Sequence, residues 1–294
     1  DLLLAIGARF DDRATGKASE FCRRAKIIHI DIDSSEIGKI IQPELGFACD
    51  AKRFLEALLA TGIDQQRPEW RRTVARYKTG FPLLPSDGGD LSSPRDLMGF
   101  LGTQLEPETI VSSDVGQHQM WAAQYLPFRR PRTWLSSSGL GTMGFGLPAA
   151  MGAALGRPER RVVCVSGDGS ILLNIQELAT LAELDLDVKV LVLDNGHLGL
   201  VRQQQELFYG ERIMASRYER RTDFAAVAAA FGIAAVDLAQ TDRPREALTK
   251  TLSRQGPVLI RLPIVAEENV FPMVPPGKAN REMLGMTPKR EEVR

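Results

Sequence analysis

The stretch that most constrains the fold of this chain is residues 162–170, which read VVCVSGDGS. Small and β-branched residues here predict a buried strand, and Asp168 follows that strand between two glycines. A second apolar run, residues 188–193, ends in an Asp-Asn pair, and an amphipathic segment separates the two runs. Two strands joined by a helix form a βαβ unit, whose strands are parallel and whose ligands bind beyond their carboxyl ends. The pattern therefore predicts Asp168 and Asn195 side by side at one edge of a sheet.

Asp168 and Asn195 together offer the oxygen ligands that a magnesium ion prefers. Mg²⁺ takes about six oxygen ligands and usually keeps some positions for phosphate and water. Gly167 and Gly169 allow close approach of the backbone, and the amides that open the following helix favour an anion. A tight turn in which Asp168 only caps the helix is an equally good interpretation of GDG alone. The second strand end at Asn195 favours a magnesium–diphosphate site.

The rest of the chain predicts an α/β protein with a doubly wound parallel sheet. Within residues 93–264, helical patterns alternate with six apolar runs, at 109–114, 133–136, 161–166, 188–193, 233–238 and 257–263. Such alternation predicts six parallel strands covered on both faces. Residues 1–62 are expected to be the C-terminal part of a second α/β domain, because their strand–helix pattern is small for a core of its own. Residues 63–92 resemble a linker, and residues 265–294 are expected to form a C-terminal arm.

The amino-acid composition argues against several classes of protein, among them nucleic-acid-binding and membrane proteins. The 37 basic and 37 acidic residues balance, so charge gives no reason to expect a nucleic acid or an anionic membrane as a partner. Three cysteines without CxxC spacing indicate a reducing compartment and no structural zinc. No apolar run is long enough to span a membrane. The expected location is the cytoplasm, with an organelle left open because a targeting peptide upstream of Asp1 would not be visible.

A competing motif lies at residues 139–144, which read GLGTMG and match GxGxxG between a strand and a helix. Asp168 lies close to the acidic position that a dinucleotide-binding fold requires, so the motif would indicate a nicotinamide enzyme. Two observations count against this interpretation. The motif follows the second predicted strand of the sheet and not the first. Asp168 is also already paired with Asn195 as a predicted metal ligand.

GDGS followed by DN resembles the thiamine diphosphate motif, which is normally written GDG followed by NN. The sequence departs from that motif at its first Asn, which is Asp194 here, whereas the metal-binding Asn matches Asn195. Five flanking segments narrow the resemblance: GQHQMWAAQ (116–124), SSGLGTMGFGLPAAMGA (137–153), NIQELAT (174–180), LGLVRQQQELFY (198–209) and FPMVPPG (271–277). Together they resemble the catalytic subunit of acetolactate (acetohydroxyacid) synthase. The resemblance extends over essentially all 294 residues, which correspond to the latter half of that family's chain.

The resemblance implies a set of cofactor contacts. Those expected for thiamine diphosphate are Gln117, His118, Gly141, Met143, Gly167, Asp168, Gly169, Ser170, Asn195, His197 and Leu198. Mg²⁺ would be held by Asp168, Asn195 and His197, the last through its backbone carbonyl. Met143 would be the apolar wedge that keeps the cofactor bent. Gln204 occupies a position where many family members carry Trp against the acceptor substrate, so little preference for 2-ketobutyrate over pyruvate is expected.

The resemblance also implies FAD, with a structural rather than a redox role in this family. The residues expected near FAD are Arg9, Asp12, Arg13, Asp31 and Asp50. Without the resemblance, the favoured interpretation of Asp31 is that it ends a strand and caps the following turn.

The activity implied is that of a thiamine diphosphate- and Mg²⁺-dependent transferase. It would condense pyruvate with a second 2-keto acid to 2-acetolactate or 2-aceto-2-hydroxybutyrate, with release of CO₂, as the first common step of branched-chain amino acid biosynthesis. Another thiamine diphosphate carboligase or decarboxylase, such as glyoxylate carboligase, and a non-catalytic cofactor-binding fragment are the alternatives.

Partners and catalytic groups outside the chain are also implied. The expected assembly is a homodimer or tetramer of the full-length chain, and the resemblance allows a small regulatory subunit. The activating glutamate is expected in a separate, N-terminal pyrimidine-binding domain. No catalytic residue is therefore assigned within these residues, and the chain alone is expected to be inactive.

Overall fold

The chain divides into two compact units. In a computed structural model, which describes residues 1–83 and 89–285, one unit is Asp1–Pro82 with Phe271–Arg294 and the other is Leu83–Val270. The segment expected to be a linker contains residues 84–88, and the expected C-terminal arm contains residues 286–294. Both of these stretches lie outside the described residues. No helix in the described ranges is long and apolar enough to cross a membrane.

The smaller unit contains a parallel three-stranded sheet. Its strands are β1 (Leu2–Ile6), β2 (Lys26–Asp31) and β3 (Leu45–Ala48), in that order, and its helices are α1 (Asp12–Thr15), α2 (Ala51–Ala60) and α3 (Pro68–Gly80). Helix α3 lies within the segment expected to be a linker. The sequence analysis did not predict β3, because its four residues, LGFA, are all exposed and show no alternation of apolar and polar side chains.

The larger unit alternates helices and strands. The helices are α4 (Pro94–Gln104), α5 (Gln117–Tyr125), α6 (Gly146–Gly156), α7 (Glu177–Glu183), α8 (Gly199–Phe208), α9 (Phe224–Ala230) and α10 (Pro244–Ser253). The strands are β4 (Ile110–Ser113), β5 (Trp134–Ser136), β6 (Val162–Gly167), β7 (Val188–Asp194), β8 (Ala234–Asp237) and β9 (Val258–Pro263). They form one all-parallel sheet in the order β5-β4-β6-β7-β9-β8. This confirms the predicted six-stranded parallel sheet.

Successive side chains of the central strands enter two separate apolar cores. Val163 of β6 and Leu191 of β7 pack on one face, together with side chains of α4, α5 and α10. Cys164 and Val190 pack on the opposite face, with side chains of α6, α7 and α9. Because both faces are covered, the central strands are mostly apolar and do not alternate, with Lys189 near the start of β7 as a buried exception. The carboxyl ends of these strands are therefore the places where polar side chains can collect.

Candidate functional site

The carboxyl ends of β6 and β7 bring the two predicted metal ligands together. The backbone N–H of Asp168 donates to the Leu193 carbonyl at 3.1 Å, so the two strand ends are directly paired. Asp168 and Asn195 are only 5% and 7% exposed. The Asp168 carboxylate accepts a hydrogen bond from the Gly196 N–H at 2.6 Å, and Asn195 Oδ1 accepts one from the His197 N–H at 3.1 Å. Asp168 therefore bonds to the loop after β7 and does not cap the helix that follows its own strand.

Asp168 belongs to a pair of buried carboxylates with unequal surroundings. Asp194 also accepts a hydrogen bond from the Gly196 N–H, at 3.1 Å. Burial, and then the neighbouring Asp194, raise the pKa of Asp168 to about 7. Burial acts in the same direction on Asp194, but guanidinium groups of Arg261 at 2.7 Å and Arg221 at 2.8 Å hold its pKa below the usual value. Asp168 has no such cation: no Lys or Arg of the described residues forms a salt bridge with it. A bound divalent cation would supply the missing charge.

Close packing explains the two glycines of GDGS. A Cβ atom at Gly167 would lie 2.8 Å from the His118 Nδ1 atom, and one at Gly169 would lie 2.5 Å from the Tyr218 hydroxyl. The Ser170 hydroxyl accepts a hydrogen bond from the Gly167 N–H at 3.1 Å, which closes the turn. Larger residues at either glycine would displace the side chains that enclose the turn.

The segment after GDGS differs from the prediction. A 3₁₀ helix, Ile171–Asn174, follows directly, and α7 begins only at Glu177. The helical pattern predicts a helix over residues 174–184, so the observed start of α7 lies about three residues later than expected. The Asn174 amide donates to the Gly144 carbonyl at 2.7 Å, so this segment is held by a neighbouring loop and does not continue as an α-helix.

Helix α5 brings Gln117 and His118 to the same edge of the sheet. His118 Nε2 is buried and has no hydrogen-bond partner among the described residues. Burial lowers the pKa of His118 to about 3, so the ring is neutral near pH 7. The Gln117 amide donates to Gln203 Oε1 at 2.8 Å and to the Glu268 carbonyl at 3.2 Å, and its oxygen accepts from Asn195 Nδ2 at 3.5 Å. An unpartnered buried ring nitrogen is uncommon in a folded protein and is consistent with a polar ligand.

A cavity of about 190 Å³ lies at this edge of the sheet. All residues predicted for the diphosphate cofactor and the acceptor line it, apart from Gly141: Gln117, His118, Met143, Gly167, Asp168, Gly169, Ser170, Asn195, His197, Leu198 and Gln204. Gly141 instead forms a turn, with φ of 68° and its N–H donating to the Ser137 carbonyl at 2.8 Å. Val115, Trp121 and Ile264 also line the cavity. Sequence reasoning did not select these three, because an apolar residue near a strand end (Val115, Ile264) or within a helix (Trp121) looks like a core residue.

The donor set fits a magnesium ion that shares its ligands with a diphosphate. The described residues contain no cluster of three or more His, Cys, Asp or Glu side chains that could hold a metal by themselves. Asp168 and Asn195 supply two side-chain oxygens, which leaves most positions of an octahedral ion for phosphate, water and backbone oxygen. The His197 ring is held to the loop, with Nδ1 2.9 Å from the Asn195 carbonyl oxygen. Its predicted contribution therefore remains the backbone carbonyl.

The residues predicted to lie near FAD are in the smaller unit, where each acidic side chain has a local partner. Arg9 and Arg13 form salt bridges with neighbouring aspartates, at 3.1 Å and 2.7 Å, and the partner of Arg13 is Asp12. Asp31 accepts the backbone N–H two residues later at 2.9 Å, and Asp50 caps α2. These contacts agree with the turn and cap interpretation of Asp31, and FAD binding stays a prediction.

The sheet order counts against a dinucleotide site at residues 139–144. In a dinucleotide-binding fold, the acidic residue ends the strand that neighbours the one before the glycine motif. Here β5 precedes the motif, and β4 separates β5 from β6, which carries Asp168. Asp168 is therefore not at the ribose-binding position of such a motif.

Comparison with known proteins gives matches for both units. Residues 114–262 match the model of the thiamine pyrophosphate enzyme C-terminal TPP binding domain, and residues 1–58 match the model of the thiamine pyrophosphate enzyme central domain. The acetolactate synthase isozyme 1 large subunit of Escherichia coli (strain K12) is 49% identical over 285 residues, which cover 97% of this chain and 51% of that protein.

Two further acetolactate synthases have a similar identity to this chain and a similar coverage. The isozyme 2 large subunit of the same bacterium is 43% identical, with 97% of this chain and 51% of that protein covered. Acetolactate synthase 1, chloroplastic, of Oryza sativa subsp. japonica is 44% identical, with 97% of this chain and 46% of that protein covered. The predicted resemblance to acetolactate synthase large subunits is thus confirmed. The chain spans about half the length of the curated relatives it matches.

Replacing Asp168 with Asn should stabilise the protein when no metal is present. A folded-state pKa of about 7, against about 3.9 in an unfolded chain, means that stability is lost as the pH rises through 7. At pH 8 in EDTA, Asp168→Asn should therefore have a Tm at least ~2 °C above that of the wild type. Near pH 4 the difference should shrink, because the carboxyl is then protonated. Asp242 is exposed, so Asp242→Asn is the control and should leave the Tm unchanged both at pH 8 and near pH 4. A Tm below that of the wild type for Asp168→Asn at pH 8 would contradict the charge assignment.

Proposed function

We propose, because the chain belongs to the thiamine pyrophosphate enzyme family, that its cavity holds the diphosphate end of thiamine diphosphate together with Mg²⁺. The observation that carries this proposal is the pair of strand ends at Asp168 and Asn195 beside the cavity. The buried Asp168 carboxylate has no cationic partner among the described residues, and the His118 ring, whose Nδ1 side lies against Gly167 of the same turn, lines the cavity with its Nε2 unpartnered. A magnesium diphosphate supplies both the cation and polar atoms for these groups.

Each element of the chain has a distinct part in this binding. Asp168, Asn195 and the backbone carbonyl of His197 would hold the ion, and the GDGS turn would face the diphosphate. The apolar residues Trp121, Leu198 and Ile264 line the cavity and would exclude water from the organic part of the cofactor. When bound, thiamine diphosphate would supply a carbanion that adds to a keto group, and a ring that takes up the electron pair left behind as CO₂ departs.

The proposed reaction is the synthesis of 2-acetolactate or 2-aceto-2-hydroxybutyrate from pyruvate and a second 2-keto acid. The support is the similarity to acetolactate synthase large subunits, at 49%, 43% and 44% identity over 97% of this chain. In line with this, we assign the smaller unit to FAD binding, with Arg9, Asp12, Arg13, Asp31 and Asp50 as the candidate contacts. The assembly would be a homodimer or tetramer of the full-length chain, with a small regulatory subunit as a further partner.

The glutamate that would activate the cofactor is not among the groups at the cavity. Asp168 is the sole carboxylate among the described residues that line it. Glu177 lies on α7, where its carboxylate accepts a hydrogen bond from the Thr180 hydroxyl at 3.2 Å. The activating glutamate is therefore assigned to a pyrimidine-binding domain outside these residues.

The assignment is tested by titrating the protein with thiamine diphosphate in a calorimeter, with and without Mg²⁺. The wild-type chain should bind only when Mg²⁺ is present. Asp168→Asn should lose this Mg²⁺-dependent binding, although the same change stabilises the metal-free protein. Asp242→Asn is again the control and should bind like the wild type. Unchanged affinity in Asp168→Asn would refute the metal site.

The 294-residue chain alone should form no detectable acetolactate. Positioned acid–base groups contribute about 10²–10⁴-fold to rates, and the glutamate assigned above lies outside this chain. The test incubates the chain with pyruvate, thiamine diphosphate, Mg²⁺ and FAD, and then repeats the assay with a pyrimidine-binding domain supplied in the same polypeptide. Acetolactate should appear only in the second case. Turnover by the chain alone would show that the catalytic groups are misplaced, and a product formed only from glyoxylate would favour a different carboligase.

Gln204 should leave the enzyme with little preference between acceptors. This residue is exposed on α8 and lines the cavity, and its amide-tipped side chain offers much less apolar surface to an ethyl group than a Trp would. One methylene in an apolar pocket is worth about 1–3 kcal/mol. In the active assembly, competition between 2-ketobutyrate and pyruvate should give a ratio below about tenfold, and Gln204→Trp should raise it. A strong preference in the wild type, or no rise in the variant, would exclude this role.

A further inference from the structure

Asp114 is a buried carboxylate that the metal site does not use. It follows β4 directly and is only 1% exposed. Its two oxygens accept four hydrogen bonds, and none of them comes from a cationic side chain. The donors are the N–H groups of Val115 and Gly144, both at 2.8 Å, and the N–H of Gly146 and the hydroxyl of Ser166, both at 3.3 Å. Gly144 belongs to the loop between β5 and α6, and Gly146 is the first residue of α6.

The same loop is held from its other side by Asn174. Gly144 donates its N–H to Asp114 and accepts a hydrogen bond from Asn174 Nδ2 at its carbonyl, at 2.7 Å. Its φ of 93° and the 2.8 Å between a Cβ placed here and Asn174 Nδ2 exclude a larger residue. At Gly146, a Cβ would lie 2.8 Å from the Asp114 Cβ. Asp114 and Asn174 thus hold Gly144 between them, one at its N–H and the other at its carbonyl.

Met143 immediately precedes Gly144 in the chain, and Met143 lines the cavity. A thioether is a poor hydrogen-bond partner for phosphate, but it packs well against an aromatic ring. Met143 therefore suits the organic end of a ligand whose charged end lies at Asp168. Any displacement of Gly144 would move Met143 with it, because the two are adjacent in the chain.

We propose that Asp114 and Asn174 are positioning residues that fix Met143 against the cavity and thereby set the affinity for the ring end of the cofactor. The inference rests on the proposed function for the identity of that ligand. The contacts to Gly144 do not depend on it. Neither residue lines the cavity, so both act through Met143.

Burial agrees with this role for Asp114. Desolvation raises the pKa of its carboxyl, while the backbone N–H groups of Val115, Gly144 and Gly146 act in the opposite direction. A buried carboxylate without a cation needs its full set of donors. The requirement is mutual, because the loop needs the same carboxylate to satisfy its own buried N–H groups.

NMR of the methionine methyl groups reports on the surroundings of Met143 in the protein without any ligand. The chain has eight methionines, which are labelled with ¹³C at the methyl group. The signal that disappears in Met143→Leu is that of Met143. Asp114→Ala and the milder Asn174→Ala should each shift or broaden that signal. The fully buried Met98 on α4 should keep its signal in both variants. Asp114→Asn retains an acceptor oxygen for Val115 and Gly144, so its spectrum should lie between those of the wild type and Asp114→Ala.

A binding experiment separates the ring end from the diphosphate end. With Mg²⁺ present, Asp114→Ala should weaken thiamine diphosphate binding about tenfold, or about 1.4 kcal/mol, because a displaced Met143 packs less well against the ring end. Affinity for inorganic diphosphate should change by less than about twofold, because Asp168 and Asn195 are untouched. Asn174→Ala should show the same selectivity. Thr251→Val removes a buried hydrogen bond to the Ala247 carbonyl on α10 and is the control that should alter neither affinity.

Two outcomes would overturn the inference: a Met143 signal that is unmoved in both alanine variants, or an equal loss of affinity for the two ligands. If the proposed function is wrong, the wild-type chain will bind neither thiamine diphosphate nor inorganic diphosphate. The methyl spectra alone then decide whether Asp114 and Asn174 position Met143.

Discussion

The parallel pairing of β6 with β7 is the interaction on which the rest of the site depends. Register between these strands sets Gly167 against Leu193, and the next residues of each strand, Asp168 and Asp194, reach the same edge of the sheet. Apolar cores on both faces leave this edge as the place where buried polar groups collect. The surrounding loops then enclose the Asp168 carboxylate, which has hydrogen-bond donors but no cationic partner in the part of the chain that the structure describes. Such a buried charge is costly without a ligand.

Charge balance at the edge explains how the chain accommodates an aspartate where the thiamine diphosphate motif has its first asparagine. Asp194 adds a negative charge beside Asp168, which would oppose ionisation of both groups. Arg221 and Arg261 pair with Asp194, and Arg261 also bonds to Asp237 at 3.0 Å. The added charge is therefore offset by side chains that do not line the cavity. The charge available to a metal ion remains that of Asp168.

Local patterns account for what could be predicted from the sequence. Uninterrupted apolar runs identified β6 and β7, and their polar ends located Asp168 and Asn195, because strand direction alone places these residues together. Other features depend on contacts distant in the chain. The turn at Gly144 is held by Asp114, thirty residues earlier, and no spacing rule joins a carboxylate to such amides. The helical patterns predict helices over residues 143–155 and 174–184, whereas α6 begins at Gly146 and α7 at Glu177. The two segments before these starts are joined by the bond from Asn174 to Gly144, which no local pattern predicts.

The central claim is that Asp168 and Asn195 hold a divalent ion that also binds a diphosphate. The most direct measurement is anomalous X-ray scattering from crystals grown with thiamine diphosphate and Mn²⁺ in place of Mg²⁺. We expect one strong peak within coordinating distance of oxygens from Asp168, Asn195 and the diphosphate, at about 2.0–2.3 Å. A peak only at exposed carboxylates, with this position empty and the cofactor bound elsewhere, would contradict the account.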